Sequence, residues 1–296
     1  MKKRTTKKSI MRISIALLCM FSPALLTAQE ESTPAVAEKD NKPVRSPYAA
    51  STLIESQSYM VFPKNTLVFN LQHRFGKLNS ETFDLFGLYA PSNIRMGLTY
   101  SVSNKIQLGI GTTKLNKLQD LNWKYSILNQ TRSNSIPIAL TYFGNVEYDM
   151  REAENFGEDY KSSNRISYFN QLMIGRKFND KLTVQLMANY AHFNQIDTVG
   201  NADFNHDNFS AGIAGRFKIS PQTSFLFEYE HPLTTPETVK PNLSLGFEIA
   251  TSSHAFQIFI TTYDGISHQR NLMYNTNDFN KGEILIGFNI TRNWSF

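Results

Sequence analysis

From Thr66 to the end of the chain, apolar and polar residues alternate in a long series of short runs. Leu182, Val184, Leu186, Ala188 and Tyr190 alternate with Thr183, Gln185, Met187 and Asn189. Ile284, Ile286, Phe288 and Ile290 alternate with Leu285, Gly287, Asn289 and Thr291. A period of two sends each set of side chains to its own face of a strand. Twelve runs read this way: 66–75, 93–102, 105–113, 120–129, 135–146, 165–177, 181–191, 208–219, 224–231, 241–250, 254–263 and 283–296. Each is near the roughly 9–11 residues that a tilted strand needs to cross a bilayer. The fifth carries Pro137, tolerable near a strand start, and the sixth alternates least cleanly.

The connections between runs alternate too. Those at 103–104, 130–134, 178–180, 220–223 and 251–253 are short. Those at 76–92, 114–119, 147–164, 192–207, 232–240 and 264–282 are mostly long. Tight turns at one end and loops at the other are the habit of outer-membrane barrels, with the turns in the periplasm. The expected fold class is therefore all-β: a transmembrane antiparallel β-barrel of about 12 strands in the cell outer membrane of a Gram-negative bacterium. A secreted soluble β-sandwich or lipocalin-like barrel would also alternate, but its turn lengths would not be expected to alternate so regularly along the chain.

The first residues follow another pattern. Lys2, Lys3, Arg4, Lys7, Lys8 and Arg12 precede an apolar stretch from Ile13 to Leu26, and Ala28 offers a small residue before Gln29. Residues 1–28 read as a secretory signal peptide. The formal charge of +5 is a property of that leader: without its six cations, 24 basic residues face 25 acidic ones. A nucleic-acid partner then has no support. The single cysteine, Cys19, lies in the leader, so the remainder has no disulfide and no Cys-based metal site. Beyond the leader, no stretch approaches the roughly 18 apolar residues of a membrane helix. Residues 29–65 form a lead: Glu30 to Pro47 is polar, proline-bearing and reads as disordered, while the more apolar Tyr48 to Met60 is a candidate short helix or luminal plug. Residues 66–296 are the barrel.

Aromatic residues gather near strand ends, at Tyr100, Trp123, Tyr142, Tyr190, Phe209, Tyr229 and Trp294, as in the two girdles of membrane barrels. Phe296 keeps the parity of Ile284 to Ile290, so Trp294 and Phe296 read as the terminal sorting signal for barrel-assembly machinery. The ordered set Thr52-Leu53-Ile54, His73-Arg74-Phe75-Gly76, Asp84-Leu85-Phe86-Gly87, Asn93-Ile94-Arg95, Lys124-Tyr125 and Gly287-Phe288-Asn289-Ile290-Thr291-Arg292 resembles an uncharacterised family of membrane-bound β-barrels, over residues 50 to 296. The resemblance implies an outer-membrane barrel. It brings no activity and no catalytic residue.

By strand parity, Arg74, Arg95 and Lys124 point into the lumen from the first, second and fourth strands. Glu228, Glu230 and Glu248 point in from the ninth and tenth, and Arg216 and Lys218 from the eighth. Opposed charged walls would impose a transverse field on a pore; equally, the charges could pair with one another or with a plug. The leading expectation is a small pore or passive transport barrel for polar solutes. The alternative is a closed structural or docking subunit of an outer-membrane complex, with a periplasmic or outer-membrane protein partner. Outer-membrane lipids are expected partners in both cases. An enzyme is not expected: His73 and His254 fall at opposite ends with no serine evidently beside either on the outer face, and there is no G-x-S-x-G. No cofactor and no metal are expected. Asp203-x-Asn205-x-Asp207 starts like a calcium loop but lacks its glycine and closing glutamate. Glu147, Asp149, Glu152, Glu154, Glu158 and Asp159 read as an acidic patch on an outer loop.

Overall fold

The computed structural model describes residues 40–78, 85, 87–196 and 204–296. The leader, Asp84 and Phe86 of the quoted motifs, and Asp203 lie outside them. Twelve antiparallel strands form a closed barrel. They are β1 (Thr66–Lys77), β2 (Asn93–Ser101), β3 (Ile106–Thr113), β4 (Leu118–Leu128), β5 (Ala139–Asp149) and β6 (Ile166–Lys177). They continue with β7 (Leu182–Phe193), β8 (Asp207–Lys218), β9 (Thr223–Pro232), β10 (Asn242–Ala250), β11 (His254–Thr261) and β12 (Leu285–Ser295). Each strand pairs with its neighbours in sequence. β1 closes on β12 from Thr66 opposite Ser295 to Arg74 opposite Gly287, which leaves no free sheet edge.

The two faces decide between a soluble and a membrane barrel. The outward positions are apolar and open: Ile110 is 59% exposed, Leu121 55% and Ile258 62%. Inward positions are polar and buried, with Asn, Gln, Ser and Thr on every strand. A soluble barrel would reverse that arrangement, because a continuous exposed apolar band belongs against lipid. Tyr100, Trp294 and the facing pair Tyr125 and Tyr142 ring the end that carries the short turns. Tyr168, Tyr190, Phe209 and Tyr229 ring the loop end. Trp123 sits further in, where a side chain on Gly144 would collide with its ring.

Several strand boundaries shift by one or two residues from the sequence reading, and those of β5 shift furthest. β5 starts at Ala139 and runs to Asp149, because its pairing with β4 continues as far as Leu118 opposite Asp149. Glu147 and Asp149 are therefore buried wall residues, and the acidic loop patch shrinks to Glu152, Glu154, Glu158 and Asp159. The turn before β5 is correspondingly longer, and it has a use. Asp40 to Val44 docks on it: Val44 N–H donates to the Gln130 carbonyl, Arg132 N–H to Lys42 and Ser133 N–H to Asp40, and Arg132 pairs with the Asp40 carboxylate at 3.0 Å. This stretch, expected to be disordered, is held by backbone pairing that its composition does not advertise.

Candidate functional site

The lumen is occupied. After its docked start the lead turns into the barrel, where Tyr48, Leu53, Ile54, Glu55, Ser58 and Tyr59 are all at most 3% exposed. It folds as a tight hairpin, not a helix. Ser58 N–H donates to the Ser51 carbonyl and Leu53 N–H to the Ser56 carbonyl, with Thr52 bridged to Gln57 and Ile54-Glu55 at the tip.

The wall holds the tip through its charged residues. Glu228, on β9, accepts from the backbone N–H groups of Ile54 (2.8 Å), Glu55 (3.0 Å) and Ser56 (3.1 Å). Successive N–H groups in a turn form a concave anion cradle, and here the anion belongs to the barrel. Arg74, on β1, donates from Nη2 to the Ile54 carbonyl at 3.1 Å and to Glu55 Oε2 at 2.6 Å. Lys124, on β4, caps the carbonyls of Ser51 (3.0 Å) and Ser58 (2.9 Å). Neutral wall residues complete the grip. Asn289 donates to the Ile54 carbonyl, Gln185 both accepts from Tyr59 N–H and donates to the Gln57 carbonyl, and Thr141 donates to the Tyr59 carbonyl. Tyr59 fits only because β6 carries Gly175 there; a Cβ at that position would run into its ring.

The other inward charges have different tasks. Arg95 pairs with Asp120 through two parallel bonds, Nε to Oδ2 at 3.0 Å and Nη2 to Oδ1 at 2.8 Å. Arg216 donates to the Ser46 carbonyl at 3.0 Å and lies 3.9 Å from Glu248. Glu248 also accepts from Gln257 at 2.9 Å. Glu230 accepts from Ser210 and from the Tyr263 hydroxyl. Lys218 lies at the turn end, on a cavity of about 1100 Å³ shared with Arg45 and His254. The wall expected to be basic also carries Asp120, Glu147 and Asp149. Charges of both signs therefore mix along it, and no clean transverse field spans the lumen. Asp120 was legible, since the parity that turns Lys124 inward turns Asp120 inward as well.

A second closure comes from the loop end. The connection between β11 and β12 contains a short helix, α1 (His268–Tyr274), which reaches across the barrel to β6, β7 and β8. Ser267 accepts from Arg270 N–H at its start and donates to Glu147 at 2.6 Å. Gln269 donates to Asn145 at 3.0 Å. Leu272 and Met273 join Phe169, Met173, Met187 and Phe193 in one buried cluster that also includes Tyr48, Leu53, Ile54 and Tyr59. Inward Phe169 and Met173 explain why the sixth run alternates poorly: apolar side chains stand on both of its faces, toward lipid and toward the plug and α1. Broken alternation was the available sign of a filled lumen.

The remaining sequence candidates are unremarkable in their surroundings. His73 faces outward and stacks on Phe288, with ring centroids 5.0 Å apart. His254, at the opposite end, stacks on Phe256 and has the Ser253 hydroxyl 3.2 Å from its Nδ1, a serine that the sequence reading did not place beside it. Asp207 pairs with the Tyr190 hydroxyl and with His192. Among the described residues no cluster of His, Cys, Asp and Glu is arranged to hold a metal ion.

Solved structures share the architecture. The COG4313 outer membrane channel from Pseudomonas putida F1 superposes with a TM-score of 0.51 at 11% identity, covering 80% of this chain and 98% of that one. The NanC porin gives 0.48 at 8% identity, with 78% and 100% covered. The KdgM porin gives 0.45 at 8%, with 78% and 99% covered. At 11% identity the likeness to the COG4313 channel is one of fold. No curated protein matches the sequence. The family profile described as a membrane bound beta barrel domain (DUF5777) matches residues 48–294, and the chain, a closed twelve-stranded barrel, belongs to that family.

Proposed function

We propose that this barrel sits in the outer membrane with its turn end in the periplasm, and that it is a non-enzymatic transport barrel for polar solutes, closed at rest by its own hairpin. The observation that carries this reading is the chemistry of the hairpin's attachment. Arg74, Lys124, Glu228, Gln185 and Asn289 hold the hairpin by hydrogen bonds to its backbone. Water or a polar solute can replace each of these bonds at little net cost. Removing the hairpin would expose a path lined by polar and charged side chains, the lining from which aqueous pores take their selectivity. In this reading Trp294 and Phe296 serve the barrel-assembly machinery, and lipids cover the apolar band.

A second reading has an observation of its own. The hairpin and α1 meet inside the barrel, which suits a permanently closed subunit docking a periplasmic or outer-membrane protein. Solute uptake by proteoliposomes separates the two. A chain lacking residues 29–60 should admit small sugars and amino acids at rates well above protein-free vesicles. Vesicles that stay tight with and without that segment would leave only the docking reading.

A further inference from the structure

Arg74 is held ready independently of the hairpin. Its Nη1 donates to Asn289 Oδ1 and to the His73 carbonyl, both at 3.0 Å, and its guanidinium lies 4.5 Å from the centre of the Phe259 ring. That ring has room because position 287 is a glycine; a Cβ there would strike it. All hairpin contacts fall on Nη2, whereas Nε, on the same edge of the guanidinium, is buried with no hydrogen-bond partner. Arg95 shows the complete form of this interaction in the same lumen, with Asp120 bridging Nε and Nη2. Glu55 offers one oxygen because its own backbone N–H is tied to Glu228 on the opposite side.

We propose that the Nε and Nη2 edge of Arg74 is a binding site for the carboxylate of a solute, that Glu55 fills it in cis, and that the hairpin is a tethered mimic which such a solute displaces. The inference rests on the transport reading and adds a ligand class and a mode of opening. A carboxylate free to orient makes the two parallel bonds that Glu55 cannot, and bidentate charge-assisted pairs are the stronger kind. The tip also prescribes the rest of the ligand. Beside its carboxylate it presents three N–H donors to Glu228, so the fitting solute carries hydroxyl or ammonium donors near its carboxylate, as hydroxy acids, sugar acids and amino acids do. Buried Arg74 and Glu228 are each costly without a partner, which favours exchange of hairpin for solute over an empty lumen.

Gluconate is a suitable probe, with glucose as its neutral counterpart, in planar bilayers at constant ionic strength. In the full chain, gluconate should raise the frequency of openings and glucose should not. Glu55→Gln, which keeps the side chain's size, should open more often without any probe. In a chain whose residues 52–57 are replaced by a Gly-Ser segment of equal length, gluconate should block the chloride current saturably. Arg74→Gln in that background should weaken the block by about ten-fold or more, the worth of a charged hydrogen bond. The proposal is overturned if the Gly-Ser chain conducts but gluconate and glucose act alike, or if the block ignores Arg74. It is also overturned if Glu55→Gln opens no more often than the parent. A Gly-Ser chain that carries no current sinks the transport reading itself, a result distinct from the loss of carboxylate recognition.

Discussion

Gln57, in the hairpin, and His268, at the start of α1, meet inside the barrel with their Nε2 atoms 3.4 Å apart. The two closures of the lumen, one entering from each end, thus touch through an amide–imidazole contact. An amide nitrogen only donates, so the imidazole nitrogen facing it must be unprotonated. His268 also stacks on Phe169 and stands edge-on to Phe143.

That packing makes the outer closure acid-sensitive. His268 lies in the loop between β11 and β12, outside the spanning strands. Burial pushes its pKa down to about 3; nearby Arg95 and Lys124 push the same way, and Asp120 opposes them. A histidine released from the lumen titrates near 6.5. The packed form is therefore unpenalised above about pH 6.5 and loses stability steadily as pH falls from there toward 3, by about 1.4 kcal/mol per unit. Hydrogen exchange in residues 262–284 should accelerate on acidification from pH 7 to 4, and His268→Phe should flatten that dependence.

Removing Glu228 tests the inner closure. Glu228→Ala leaves three backbone N–H groups of the tip without an acceptor. The expected loss in hairpin docking is about 2–5 kcal/mol. The only cysteine in the sequence is Cys19, so a cysteine placed at Leu53 reports cleanly on the hairpin once the leader is gone. Its thiol should label slowly in the parent and much faster with Glu228→Ala, while the strands keep their β circular dichroism.

Crowding the hairpin should act in the same direction by a different route. Gly175→Val places a branched side chain where the Tyr59 ring lies, and overpacking of this kind costs about 1–3 kcal/mol. Leu53 labelling should again accelerate. Gly157→Val, at a glycine with nothing within reach of an added Cβ, controls for substitution as such, although its positive φ adds local loop strain.

The lipid face makes its own prediction. Ile110→Arg, in the middle of β3 on the exposed apolar band, should cost ~2–4 kcal/mol in a bilayer. Urea unfolding from lipid vesicles would measure it. Leu233→Arg, in the connection after β9, should cost much less, because that position lies beyond the strands.

The wall of this barrel was legible from sequence because lipid and lumen impose opposite polarity on adjacent residues. That rule turned Leu121 out and Lys124 in, and the alternation of turn lengths supplied the sidedness. The contents of the lumen were legible only in outline. Nothing in Thr52-Leu53-Ile54-Glu55-Ser56 marks a hairpin, since it has no glycine or proline turn; its shape comes from wall residues more than a hundred positions away, such as Gln185 and Glu228. The helix α1 was missed for a related reason. Its seven residues carry no isolated propensity signal, and they are stabilised by packing on Phe169 and Met187. The inward parity of Arg74 could be read, but its partner Glu55 lies before the first strand, where strand parity says nothing.

The central claim is that the hairpin stands in an aqueous path. Single-channel recording of the full chain beside the chain with residues 52–57 replaced by Gly-Ser, in the same bilayer and salt, tests it most directly. The account predicts rare, brief openings in the first and a sustained ohmic current in the second. Equal currents in both would place the hairpin outside the path, and silence in both would mean that removing the hairpin opens no path.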